Sequence, residues 1–137
     1  MADHSVNGMD LGQVLKKDRV LILDEASKEQ ILKTLIKALA TAPEITDAEE
    51  LERGISQRED LMSTGIGLGI GVPHVRLGSI KDVVMALGVC KEGVRSYESL
   101  DDIPVRVVCM IGAHETQHPQ YIKTLASVSE RLKADHI

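Results

Sequence analysis

From Ser63 to His74 the chain reads Ser-Thr-Gly-Ile-Gly-Leu-Gly-Ile-Gly-Val-Pro-His, with glycine at every second position from Gly65 to Gly71. No other stretch limits the fold as strongly. Glycine loses more backbone freedom on folding than any other residue, so glycines at this density in a strand need a reason. As a strand, the period of two sends Ile66, Leu68, Ile70 and Val72 to one face and leaves the other as bare backbone. Bare backbone suits the close approach of another segment or of a ligand. Tight packing of a helix on the sheet is the purely structural alternative. Two phosphate-binding motifs are excluded. A Walker loop ends in Gly-Lys-Ser/Thr, and no Lys follows these glycines. A dinucleotide fingerprint starting at Gly65 needs a third glycine at position 70, where Ile70 stands.

His74 follows Pro73 at the end of this segment. Pro73 fixes its own φ and restricts Val72, so the imidazole is held beside a glycine-lined surface. Neutral imidazole carries a free lone pair near pH 7. It can attack a phosphoryl group and form a covalent phosphoramidate. Such transfer needs positioning and charge stabilisation more than further covalent chemistry. Arg58 is the candidate for neutralising phosphoryl oxygens, and Ser63 and Thr64 bring hydroxyls. The bland reading of a lone loop histidine is a surface residue.

The rest of the chain alternates between strand and helix patterns. Leu11, Val14 and Leu15 have the spacing of a short lead-in helix after a polar segment over residues 1–9 that is expected to be a flexible tail. Val20 to Leu23 reads as a strand. Ser27 and Gln30 form a capping box before a stripe of Ile31, Leu32, Leu35, Ile36 and Leu39. Thr46 and Glu49 predict a second cap, with Leu51 and Ile55 buried and Gly54 a weak point. Val83–Val89 and Val105–Ile111 are strand-length apolar runs, with turns at 91–93 and 101–104. Pro119 opens a last helix carrying Ile122, Leu125, Ala126, Ser129 and Leu132. The pattern is one α/β domain with a mixed β-sheet flanked by helices.

Composition removes several functions. The chain of 137 residues has no Phe, no Trp and two Tyr, so its core is expected to be aliphatic. Stacking surfaces for single-stranded nucleic acid and aromatic cages for cations are excluded. With 16 basic and 21 acidic residues, the net charge of −5 opposes nucleic-acid and anionic-membrane binding and suits a basic protein partner. Cys90 and Cys109 sit in apolar runs and read as reduced, buried thiols. No signal peptide or membrane-length apolar run is evident, so a cytoplasmic location is expected. His114 and His118 are spaced i, i+4 near Cys109, but Pro119 interrupts helix there and further ligands are missing, so no metal site is expected.

Arg58-Glu59, Ser63-Thr64-Gly65-Ile66-Gly67 and Gly69-Ile70-Gly71-Val72-Pro73-His74 together resemble the signature of the fructose/mannitol-type (type 2) EIIA domains of the bacterial phosphotransferase system, which include the nitrogen-regulatory EIIA proteins. The match runs without a gap from Arg58 to His74. Ser27-Lys28-Glu29, and Asp101 followed by Pro104-Val105 and the strand to Ile111, extend it, so that it spans residues 10–137 as one domain. The resemblance implies the single-domain sandwich of that type. It implies phosphoryl transfer through His74, with Arg58 beside it and Ser63, Thr64 and Gly65 near the phosphoryl group. The implied donor is the histidine carrier HPr or a nitrogen-branch analogue, and the implied acceptor is EIIB. No metal or organic cofactor is implied. The alternative is a regulatory module of the same fold that binds a kinase or transporter, with weak or no phosphotransfer.

Four departures stand out. Tyr121 occupies the place of a second active-site histidine, where a phenol donates a hydrogen bond but no positive charge, and His118 lies three residues earlier as a partial substitute. Val75 follows His74 where Gly or Ala is common, and is expected to crowd the rim of the site. His114 stands where Pro is common. The further C-terminal helix of the family is expected to be missing, since the sequence stops at Ile137.

Overall fold

The computed structural model describes residues 5–6, 9–10, 19–24 and 27–117. The lead-in helix read around Leu11 and the late helix read from Pro119 lie outside these residues. Two short strands, β1 (Ser5–Val6) and β2 (Met9–Asp10), pair antiparallel. The main sheet contains β3 (Val20–Leu23), β4 (Gly65–Gly67), β5 (Ile70–Gly71), β6 (His74–Leu77), β7 (Val84–Val94) and β8 (Val105–His114). Its order is β3-β7-β8-β5-β4, with β6 also on β8. β3 runs parallel to β7, and β7 antiparallel to β8. The sheet is therefore mixed, as the sequence predicts.

β5 and β6 both pair parallel with β8 in one continuous register, from Ile70 opposite Val107 to Leu77 opposite His114. Only Val72 and Pro73 interrupt this double strand. Even there the ladder is partly kept, because the Ile111 amide donates to the Pro73 carbonyl at 2.9 Å.

Helix α1 (Lys28–Leu39) starts at Ser27, whose side chain accepts the Gln30 amide. Ile31, Leu35 and Leu39 are fully buried, as the stripe requires. Helix α2 (Ala48–Leu61) starts one residue later than the capping box suggests: the cap is Asp47, which accepts the Glu50 amide. Thr46 instead gives its hydroxyl to the Ser79 carbonyl at 2.6 Å. A carboxylate at a helix N-terminus also meets the positive end of the dipole, which favours Asp47 over Thr46.

The long strands β7 and β8 alternate between two apolar layers. Val84, Ala86, Cys90, Val108 and Met110 face the helices with Ile31, Leu35, Leu51 and Ile55. Met85, Leu87, Val107, Cys109 and Ile111 form a second layer with Ile70, Val72 and Val83. Cys90 and Cys109 are buried in different layers. The turn expected at residues 91–93 is an irregularity inside β7, where Gly93 has φ +80° and the register with β8 shifts. Among the described residues the core is aliphatic with one exception, Tyr97, which is 2% exposed. Among the described residues no helix is long and apolar enough to cross a membrane.

Candidate functional site

The glycine segment is not one continuous strand. β4 and β5 form a tight hairpin whose turn holds Gly67, Leu68 and Gly69 at φ +95°, +59° and +80°. The left-handed region strongly favours glycine, which explains the pair flanking Leu68. The expected single apolar face is split accordingly. Ile70 and Val72 are buried, whereas Ile66 and Leu68 are 44% and 57% exposed. Gly65 and Gly71 serve close approach instead. A Cβ on Gly65 would strike the Glu98 carbonyl oxygen, and one on Gly71 would lie 2.7 Å from the Tyr97 ring.

The hairpin delivers the chain to His74. The Val72 amide donates to the Thr64 carbonyl at 3.0 Å. The Val72 carbonyl lies 2.8 Å from His74 Nδ1. A carbonyl oxygen only accepts, so Nδ1 carries the proton and Nε2 of the neutral ring keeps its lone pair. Partial burial holds the imidazole below its ordinary pKa, helped by the positive charges of Arg58 and Arg76; the Val72 hydrogen bond and Glu59 pull the other way. Near pH 7 the ring is therefore neutral and nucleophilic at Nε2.

Arg58 lies in the last turn of α2 and donates one guanidinium N–H to the Met62 carbonyl at 2.9 Å. Its planar fork has further N–H groups for an anion beside His74. Arg76, two residues after His74 on β6, adds a second cation and is tied to the Gln117 carbonyl at 3.1 Å. Strand period places it on the same side as His74, a signal available from the sequence but not singled out there.

Ser63 and Thr64 spend their hydroxyl protons within the protein. Ser63 Oγ donates to the Glu98 carbonyl at 2.6 Å. Thr64 Oγ1 donates to Glu59 Oε2 at 2.6 Å and lies 2.8 Å from the Tyr97 hydroxyl. Glu59 Oε1 pairs with Lys28 Nζ at 2.9 Å, and its side chain is 5% exposed. Lys28 Nζ also sits 4.5 Å above the centre of the Tyr97 ring. Neither hydroxyl has a proton left for a phosphoryl oxygen. Ser63, Thr64 and Gly65 instead lock the hairpin to α1, α2 and the loop after β7. Lys28, Glu59 and Tyr97 are the residues that sequence reasoning missed; Glu59 lies inside the motif and Lys28 in the Ser27-Lys28-Glu29 stretch, whereas no local signal marks Tyr97. His118 and Tyr121 lie outside the described residues.

Val75 does not crowd the rim as expected. It packs against the core on the helix side, and its Cγ2 would be 2.7 Å from a Cβ on Gly54 of α2. His114 turns its Nδ1 to the Thr116 hydroxyl at 2.8 Å. Among the described residues no group of three or more His, Cys, Asp or Glu is placed to hold a metal ion.

A mixed sheet that presents an imidazole with its Nδ1 held by a backbone carbonyl, and with Arg58 and Arg76 acting on its charge, defines a class of histidine-centred α/β domains. Residues 13–137 match the family described as phosphoenolpyruvate-dependent sugar phosphotransferase system, EIIA 2, and the chain belongs to that family. It is 32% identical over 130 residues to the fructose-specific EIIABC component of Bacillus subtilis (strain 168), covering 94% of this chain and 20% of that protein. The chain thus spans about a fifth of that relative's length. It is 26% identical over 123 residues to the nitrogen regulatory protein of Pseudomonas aeruginosa, covering 89% of this chain and 79% of that one. The Escherichia coli mannitol enzyme IIA, solved in complex with phosphorylated mannitol enzyme IIB, superposes with a TM-score of 0.69 at 26% identity, covering 86% and 88% of the two chains. These likenesses support the sandwich fold of the EIIA type.

Proposed function

We propose that this domain, residues 10–137, is a cytoplasmic phosphoryl carrier. His74 accepts a phosphoryl group from the phosphohistidine of an HPr-like carrier, or its nitrogen-branch analogue. It then passes the group to an EIIB domain or holds it as a regulatory state. The observation that carries this reading is the Nδ1 hydrogen bond to Val72, which leaves Nε2 as the nucleophile. In the transfer, Nε2 donates its lone pair to phosphorus while the donor's P–N bond breaks and returns its electron pair to the donor ring. The Nδ1 proton stays on His74, and the Val72 oxygen stabilises the positive character the ring acquires. Arg58 and Arg76 meet the charge on the phosphoryl oxygens. No metal or organic cofactor enters this step.

A protein donor has an apolar surface to dock on. Leu61 and Met62 are 83% and 71% exposed, and Ile66 and Leu68 follow in the hairpin. Leu100 and Ile103, 85% and 48% exposed, lie on a loop tied to that hairpin through Ser99 and Asp101. The test is mass spectrometry after incubation with phosphoenolpyruvate, enzyme I and HPr. The expected result is one acid-labile phosphate, absent in His74→Ala; an unlabelled wild type refutes the proposal.

The likeness to the Pseudomonas nitrogen regulatory protein, together with Tyr121 in place of a second histidine, favours a regulatory use as the second reading. A regulator binds a kinase or transporter differently in its two states. Equal partner lists for wild type and His74→Asp in pull-downs count against such a switch.

A further inference from the structure

We propose that Tyr97 is a positioning residue for His74: its hydroxyl on Thr64 and its ring on Gly71 fix the Val72 carbonyl that holds the imidazole Nδ1 proton. The proposal rests on the reading of His74 as phosphoryl acceptor.

The direction of each hydrogen bond follows from the groups themselves. The Glu59 carboxylate can only accept, so the Thr64 hydroxyl donates to it at 2.6 Å. With that proton committed, Thr64 Oγ1 accepts from the Tyr97 hydroxyl at 2.8 Å. Burial and the Glu59 charge push the phenol pKa upward, so Tyr97 remains a donor across the working pH range. Lys28 holds the other end by pairing with Glu59 and covering the Tyr97 ring. The result is a chain of donors, Tyr97 to Thr64 to Glu59, closed by Lys28.

This chain reaches the imidazole through the backbone. Thr64 is the residue whose carbonyl holds the Val72 amide at 3.0 Å. The ring of Tyr97 fills the space over Gly71, immediately before Val72. Tyr97 therefore grips the hairpin at both ends of the segment that presents the Val72 carbonyl. That carbonyl selects the tautomer of His74. The other tautomer carries its proton on Nε2 and has no lone pair there to attack phosphorus. A group that orders Val72 thus sets the fraction of the chain ready to react without touching the phosphoryl group.

The test uses Tyr97→Phe, which keeps the ring and removes the hydroxyl. Long-range proton–nitrogen NMR of the unphosphorylated chain reads the His74 tautomer, and phosphotransfer from phosphorylated HPr reads kcat and KM. Wild type is expected in the Nδ1–H form. Tyr97→Phe is expected to gain the Nε2–H form and to lose about fivefold in kcat with little change in KM. Thr64→Val is expected to reproduce both effects and Thr64→Ser to restore them, which also covers the case of a Tyr97→Phe chain that does not fold. Wild-type tautomer and kcat in folded Tyr97→Phe, or in Thr64→Val, overturn the proposal. A tautomer shift in a chain whose wild type takes no phosphate leaves Tyr97 as a positioning residue and refutes the carrier function instead.

Discussion

Gly54→Ala in α2 sets two effects of opposite sign against each other. In an exposed helix interior the change gains about 1 kcal/mol, because alanine gives up less backbone freedom than glycine. Here the new methyl carbon would lie 2.7 Å from Val75 Cγ2, with the Leu77 methyls at 3.6 and 3.7 Å. Leu77 is in ordinary contact, but Val75 must recede by about 0.7 Å. Valine is stiff about χ1 and Val75 is held in β6 by its pairing with Gly112 of β8. Overpacking of this kind costs about 1–3 kcal/mol. The clash wins, and the expected net loss is about 1 kcal/mol, or roughly 3–5 °C in Tm for a chain of this size. Urea unfolding measures it. Val75→Ala removes the obstructing methyls, so in that background Gly54→Ala is expected to stabilise by about 1 kcal/mol, a coupling near 2 kcal/mol. Equal effects of Gly54→Ala in both backgrounds refute the packing argument.

Three further outcomes follow from the site. His74 sits below its ordinary pKa, so between about pH 6.5 and its folded value the unfolded chain binds the extra proton. Stability is therefore expected to fall as pH drops through that window, less so in His74→Gln; because the Arg58 charge lowers this pKa, Arg58→Gln should move the His74 NMR titration upward. Lys28→Met strands the Glu59 carboxylate and is expected to cost about 3 kcal/mol in urea unfolding, while a loss under 1 kcal/mol refutes the pairing argument.

Local signals in the sequence correspond to local structure. The Val20–Leu23 run is β3, Ser27 caps α1, and the Ile31–Leu39 stripe is the buried helix face, because each depends on neighbours within a turn or a pleat. The histidine at the end of the glycine segment and the arginine in α2 also emerge from the motif. The turn hidden in the glycine alternation does not, since a period of two is also produced by glycines placed at positive φ around Leu68. Tyr97 escapes for another reason. Its partners Thr64 and Lys28 are far away in the chain, and nothing local marks a phenol as the donor in a buried chain of hydrogen bonds. Hydroxyls near a reactive histidine look available in a sequence, but only the fold shows where Ser63 and Thr64 send their protons.

The break at Val72–Pro73 also bears on solubility. The exposed leucines, methionine and isoleucines proposed to dock a protein donor must not adhere to further copies of the chain. Long straight sheet edges recruit further strands and seed aggregates. Here the edge of β8 is lined by two short pieces, and β5 is already covered by β4. β6 offers four residues, one of them Arg76, and the proline before it has no N–H to extend a ladder. Copies that collide at this edge can form only a short ladder, which limits the pairing that would hold them together.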